Sequence, residues 1–298
     1  MQIFDRENAI IAAFYDKKTG SYQYVVTDKA TRAAAIVDPV FDFDEKAAAT
    51  STRNADHIAA YVRDQGLTVE WIFDTHPHAD HFSAAPYLGE RYGARRAIGK
   101  KVVDVQKLWK DIYRLPDLPE DGSQWDQLFG AGDTFRVGEL EARVLFSPGH
   151  TLASISYVFD GFAFVHDTLM MPDSGSSRAD FPGGDAHALY RSIRELLDLA
   201  GDTALFVGHD YGKDGREPQC MATVAQHRAE NIHVHDGIGE EAFVKTRAER
   251  DATLPLPDLM LAALQVNIRG GRLPEPESDG RSYLKIPLNF FASVPDDD

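Results

Sequence analysis

Apolar positions along this chain fall into short blocks separated by turn residues, and most of the blocks read as strands. Residues 21–26 alternate and residues 34–37 end in Asp38-Pro39, with a polar turn at 28–31 between them. Residues 55–65 carry Ile58, Tyr61 and Val62 at helical spacing, and Gly66 stands where a helix-ending glycine belongs. Residues 69–73 predict a short apolar strand running straight into a histidine cluster, with a helix over 84–92 behind it. Residues 101–129, interrupted by Pro116, Pro119 and Gly122, give no clear element. Further strands are expected at Thr134–Val137, 141–146, 154–159, 163–165 and 205–207. A helix over 185–199 sets Leu189, Ile193, Leu196 and Leu197 on one face. After Tyr211 the character changes to a helical pattern at 218–230, polar connections and a proline-rich stretch at 254–257. A late apolar run at 284–288 follows, where Pro287 restricts any strand to a sheet edge. Residues 296–298 read as a frayed acidic tail.

Composition narrows the function. A chain of 298 residues, 43% of them hydrophobic, can bury one large core or two modest ones. The formal net charge of −16 argues against a nucleic-acid backbone or an anionic membrane surface as partner. No stretch approaches the roughly 20 apolar residues of a membrane helix, and the first residues lack a secretory-signal pattern. Cys220 is the only cysteine. That rules out an intrachain disulfide and a thiolate cluster, favours a cytoplasmic location, and leaves histidine and carboxylate to hold any metal.

Four polar sites stand at the ends of apolar strands. The first is Thr75-His76-Pro77-His78-Ala79-Asp80-His81. Three histidines and an aspartate within six residues, directly after a strand, have no good packing explanation. Such clusters are what a borderline transition metal selects. The others are Gly149-His150, Asp167 and Gly208-His209. Taken singly, each of these three is more simply a loop histidine or a capping aspartate.

In this order the four sites resemble the metallo-β-lactamase superfamily over roughly residues 10–215. The resemblance implies an α/β fold, a four-layer αββα sandwich with metal where the two sheets meet. It divides the chain into a catalytic domain, 1–215, and a C-terminal extension, 216–298, packed on it. His76, His78 and His150 match one metal position; Asp80, His81 and His209 match a second, and Asp167 can bridge them. Arg178-Ala179-Asp180-Phe181, His209-Asp210-Tyr211 and the tail runs at 265–269 and 284–289 are similar to the persulfide dioxygenase branch. That branch implies one Fe(II) per chain held by His76, His150 and Asp167, with His78, Asp80, His81 and His209 around it. It further implies O2 and a small thiol persulfide, such as glutathione persulfide, as substrates, sulfite and thiol as products, and Arg178, Tyr211 and, on a looser match, Arg228 as substrate contacts. A two-histidine, one-carboxylate face suits Fe(II) because it leaves positions open.

Two departures stand out: His166 occupies a position that is usually glycine, and the loop at 168–177 is longer than in glutathione-specific enzymes. On a strand, His166 should point away from Asp167 and take a packing or outer role. The same ligands with one or two zinc or iron ions also fit a hydrolase of thioesters, similar to glyoxalase II. A metal-binding regulatory protein is the third reading, disfavoured by the complete ligand set. Related enzymes are often dimers, and the apolar residues 284–291 are a candidate homodimer contact, although a core strand explains them equally well.

Overall fold

The computed structural model describes residues 1–291; the acidic residues 296–298 lie outside the described part. The first half runs β1 (Gln2–Asp5), β2 (Ala9–Asp16), β3 (Ser21–Asp28), β4 (Ala33–Val37), β5 (Val40–Asp44), β6 (Ala49–Ser51) and α1 (Arg53–Asp64). It continues with β7 (Thr68–Phe73), β8 (Phe82–Ser83), α2 (Ala85–Tyr92), β9 (Arg95–Gly99), α3 (Val102–Tyr113) and β10 (Gln127–Phe129). The second half runs β11 (Thr134–Val137), β12 (Leu140–Phe146), β13 (Ile155–Phe159), β14 (Phe162–His166), α4 (Ala186–Leu197) and β15 (Ala204–Val207). Then come β16 (Met221–Thr223), α5 (Val224–Glu230), α6 (Glu240–Asp251) and α7 (Met260–Asn267).

Two sheets carry the architecture. One has the order β1-β2-β3-β4-β7-β9-β10 and the other β11-β12-β13-β14-β15-β16, with β6-β5-β8 as a small accessory sheet. Aromatic side chains fill the space between the large sheets: Tyr24, Phe73, Phe135, Tyr157, Phe164 and Phe206 belong to one buried cluster. Phe73 and Tyr157 stack across it with ring centroids 4.5 Å apart. The outer face of the first sheet packs Val25, Ile36 and Ile72 against Ile58 and Val62 of α1 and Leu88 of α2. The outer face of the second sheet meets the Leu189–Ile193–Leu196 stripe of α4 and Phe243 of α6. This is the expected αββα sandwich, a helix layer on each outer face.

Burial on both faces explains why the alternation read at residues 21–26 does not mark a half-exposed strand: β3 is buried throughout. Helix α3 falls in the stretch where proline and glycine obscured any pattern. Its stripe of Val102, Val105, Trp109 and Tyr113 packs on Trp125 and on Met260 and Leu264 of α7. Residues 218–230 are only half helical, because Met221–Thr223 adds the edge strand β16 to the second sheet. The extension is therefore woven into the sandwich at its first strand. Residues 284–288 form no strand, and Ile286 and Leu288 stand exposed. No helix of the described residues is long and apolar enough to cross a membrane.

The extension buries two neutral histidines. His227 Nδ1 accepts from the Asn231 amide at 3.1 Å, and burial pulls its pKa down to about 4. His233 Nδ1 accepts from the Ser176 N–H at 3.0 Å; burial, with Arg247 nearby, lowers it to about 4 as well. An unfolded histidine titrates near 6.5, so between these values the unfolded chain binds more protons than the folded one. The stability contributed is present above pH 6.5 and is lost as pH falls toward 4. Urea unfolding across that window should therefore show stability falling by up to about 1.4 kcal/mol per pH unit per histidine. His227→Gln should make the fall shallower by one proton's worth, and an unchanged slope would refute the assignment.

Candidate metal centre

The parallel pair β4 and β7 of one sheet and the parallel pair β14 and β15 of the other end at a common edge. From these strand ends the chain presents Asp38, residues 75–81, Asp167 and His209, and the turn after β12 adds His150. Two glycines make the approach feasible. A Cβ on Gly208 would lie 2.5 Å from Asp167 Oδ1, and one on Gly149, where φ is +133°, would lie 2.2 Å from the Leu189 backbone nitrogen.

Donor atoms of His76, His150 and Asp167 converge, and all three residues are buried. His76 Nε2 is 3.8 Å and His150 Nε2 is 3.7 Å from Asp167 Oδ2. Donors about 2.1 Å from a shared ion in a tetrahedral arrangement stand roughly 3.5 Å apart, so these atoms need shift only slightly to share one. Neighbouring groups fix the tautomers. The Arg178 carbonyl can only accept, so His150 Nδ1 donates to it at 2.9 Å and Nε2 keeps its lone pair. Thr75 Oγ1 donates to Asp38 at 2.7 Å, which leaves it to accept from His76 Nδ1 at 3.0 Å. His76 Nε2 is then a buried lone pair with no hydrogen-bond partner. An orphan of this kind is costly unless something binds it, and a metal ion fits.

His78 is turned away from this trio. Its Nε2 donates to Asp38 Oδ1 at 2.9 Å. Burial disfavours its charged form, but the Asp38 carboxylate outweighs that and raises its pKa to about 9. His209 lies between two carboxylates, with Nδ1 2.5 Å from Asp167 Oδ1 and Nε2 2.7 Å from Asp80 Oδ2. Burial again works against the charge, yet Asp167 and Asp80 hold His209 well above the ordinary histidine range. Asp80 Oδ2 also receives His81 Nδ1 and the Ser21 hydroxyl, each at 2.8 Å. His78 Nδ1 and His81 Nε2 remain without partners. Donors of His78, Asp80 and His81, and separately of Asp80, Asp167 and His209, also come close enough to share a cation.

His166 does not follow strand alternation. Its φ is +41°, in the left-handed region, which accounts for a glycine preference at this position. Its ring lies 5.0 Å from that of His76, with Nε2 2.8 Å from Thr168 Oγ1 and 3.2 Å from Ser147 Oγ. The Arg178 guanidinium donates to both oxygens of Asp180, at 2.6 and 2.7 Å, and lies over the Phe181 ring. Tyr211 is exposed and its ring is nearly parallel to that of His209, 5.9 Å away. Arg228 pairs with Asp236 at 3.0 Å, and no hydrogen bond among the described residues joins it to the cluster.

Sequence reasoning passed over Asp38 and Asn267. Asp38 has the same signature as the others, a carboxylate ending an apolar strand. Asn267, at the end of α7, donates to the carbonyls of His78 and His81, both at 2.7 Å, and accepts from the Ser83 N–H at 2.8 Å. Only the fold brings it there.

Comparison with known proteins agrees with this geometry. The family model described as "Metallo-beta-lactamase superfamily" matches residues 17–209. A "Beta-lactamase hydrolase-like protein" of Xylella fastidiosa is 60% identical over 94% of this chain, which spans 64% of that relative's length. The protein called "Glyoxylase B2" of Dictyostelium discoideum is 42% identical over 95% of this chain and 98% of its own. The mitochondrial "Persulfide dioxygenase ETHE1" of Mus musculus is 27% identical over 88% of this chain and 89% of its own. The crystal structure of ETHE1 from Myxococcus xanthus superposes with a TM-score of 0.71 at 30% identity, covering 88% of this chain and 99% of that one.

Removing Asn267 should loosen the loop that carries the histidines. Asn267→Ala leaves two buried carbonyls and one buried N–H unpaired, and is expected to cost about 3 kcal/mol in urea unfolding. A loss below about 0.5 kcal/mol would mean that the loop holds itself.

Proposed function

The chain belongs to the metallo-β-lactamase superfamily, and from that premise we propose that it is an iron-dependent persulfide dioxygenase. The net reaction is RSSH + O2 + H2O → RSH + SO3²⁻ + 2 H⁺, with a small thiol persulfide, glutathione persulfide first among them, as substrate. The observation that carries the reading is the trio His76, His150 and Asp167, from which Asp38 holds His78 away at 2.9 Å. Two imidazole nitrogens and one carboxylate are the ligand set of non-haem Fe(II) oxygenases. A resident Fe(II) supplies the electron-transfer chemistry that lets O2 react with a sulfur.

The protein's own groups do the rest. Arg178 and Phe181 orient His150, one by its carbonyl and the other by a ring whose centroid lies 5.5 Å from that of the imidazole. His81 Nε2, left as a lone pair while Nδ1–H faces Asp80, is able to take the substrate S–H proton, and the unpartnered Nδ1–H of His78 can hold the water that is consumed. Tyr211 lines the approach beside His209. Arg178 can exchange Asp180 for a substrate carboxylate, since its planar fork binds either bidentately.

A second reading, hydrolysis of a thioester at a two-metal site, is favoured by one specific feature. The unpartnered His78 Nδ1 and His81 Nε2 sit beside Asp80, where another cation could be held.

Oxygen uptake and sulfite release by anaerobically iron-loaded protein given glutathione persulfide test the proposal. No uptake, together with thioester hydrolysis by the zinc-loaded protein, would replace it with the hydrolase reading. His150→Ala should bind less than a tenth of the iron held by the unaltered chain. Arg178→Ala should keep its iron and raise KM about tenfold, the loss of roughly one charge-assisted hydrogen bond; iron loss in that variant would count against a substrate role.

A further inference from the structure

Asp167 and the carbonyl that orients His150 both lie on the long connection between β14 and α4. This segment has little secondary structure of its own, yet it is tied down from the C-terminal extension at several points. Ile232 N–H donates to the Pro172 carbonyl at 3.0 Å, and the Asn231 amide donates to the Gly175 carbonyl at 3.0 Å. Gly175 has φ +90°, and a Cβ there would lie 2.1 Å from His233 Nδ1, so the two segments are in contact without room for a side chain.

The strongest tie is an ion pair. Arg247 and Asp251 lie one turn apart on α6 and are almost fully buried, with side-chain exposures of 2% and 5%. Arg247 donates through Nε at 3.0 Å and Nη2 at 2.7 Å to Asp251 Oδ1. Its remaining nitrogen, Nη1, donates to the Ser176 carbonyl at 3.0 Å. Asp251 Oδ2 accepts from the Ala179 N–H at 3.0 Å. The pair therefore grips the backbone on both sides of Arg178, whose carbonyl accepts from His150 Nδ1 at 2.9 Å. A buried ion pair contributes little net stability when hydrophobic residues could replace it. Here both ions spend their spare hydrogen bonds on one loop.

We infer that the Arg247–Asp251 pair of α6 is a positioning element for His150, acting through the backbone of Ser176–Ala179. The inference rests on His150 being a metal ligand but is independent of which reaction the metal serves. The pair fixes the direction and height of the Arg178 carbonyl. That carbonyl in turn fixes the imidazole ring and keeps the Nε2 lone pair facing the ion. The C-terminal extension thus supplies no ligand of its own, but it holds the partner of one. Outer hydrogen-bond partners of this kind commonly set metal affinity by 10- to 100-fold.

Cobalt(II) titration with a competing chelator, read also by the d–d absorption of the cobalt form, tests this without any turnover. Asp251→Asn is expected to weaken Co(II) binding about tenfold and to shift the d–d bands. Arg247→Lys, which keeps the charge but cannot serve both Asp251 and Ser176, should fall between that variant and the unaltered chain, and it carries the test should Asp251→Asn fail to fold. Leu196→Ala, a cavity variant in the α4 core, controls for general loosening and should lower Tm while leaving affinity and bands unchanged. Unchanged Co(II) affinity in folded Asp251→Asn or Arg247→Lys, or an equal loss in Leu196→Ala, overturns the inference. His150→Ala separates the two levels. If it binds Co(II) as the unaltered chain does, the ligand assignment itself is at fault.

Discussion

Asp38 is the buried charge around which the metal loop is arranged. It closes β4 and takes three hydrogen bonds, from the Thr75 N–H and hydroxyl at 2.7 Å each and from His78 Nε2 at 2.9 Å. A carboxylate this deep costs several kcal/mol unless it is fully satisfied. These donors, with the imidazolium of His78, satisfy it, and burial notwithstanding its pKa lies below the usual carboxylate value. The consequences reach the candidate ligands. Thr75 is committed to Asp38 and so sets the tautomer of His76, while His78 is drawn out of the group that His76 forms with His150 and Asp167.

The two sheets bring different halves of the centre. The first supplies Asp38 and the histidine loop; the second supplies His150, Asp167 and His209. Their alignment depends on the aromatic layer between them, where Phe73, the last residue of β7, stacks on Tyr157. The Tyr157 hydroxyl donates to the Asp74 carbonyl at 3.0 Å, one residue closer to the histidines. Packing thus fixes the distance across the site, and hydrogen bonding fixes the direction of each ring.

The candidate ligands were legible in the sequence because their chemistry is local. His76, His78, Asp80 and His81 crowd into one turn, and each later candidate follows a glycine or closes an apolar strand. What holds them was not legible. Asn267 lies 186 residues beyond the His81 carbonyl it binds, and the Arg247–Asp251 pair looks like an ordinary i,i+4 surface pair on a helix of weak amphipathic pattern. The pair of Arg178 with Asp180 was an open alternative in the sequence and the structure shows it, whereas spacing could not reveal that Arg228 faces Asp236. Local pattern reports which groups are present, and long-range contacts decide which of their atoms are free.

Which atoms are free bears on how many ions the centre takes. The first ion would meet lone pairs already exposed, on His76 Nε2 and His150 Nε2, and an ionised Asp167. Occupying the second position through Asp80, His81 and His209 would require the proton on His209 Nε2 to leave. Asp80 accepts that proton at 2.7 Å, and each unit by which Asp80 and Asp167 raise the His209 pKa adds about 1.4 kcal/mol to the cost of removing it. The residues that would complete a two-metal ligand set thus also hold a proton between them, and His209 stabilises Asp167 as an anion against the neighbouring charge of Asp80.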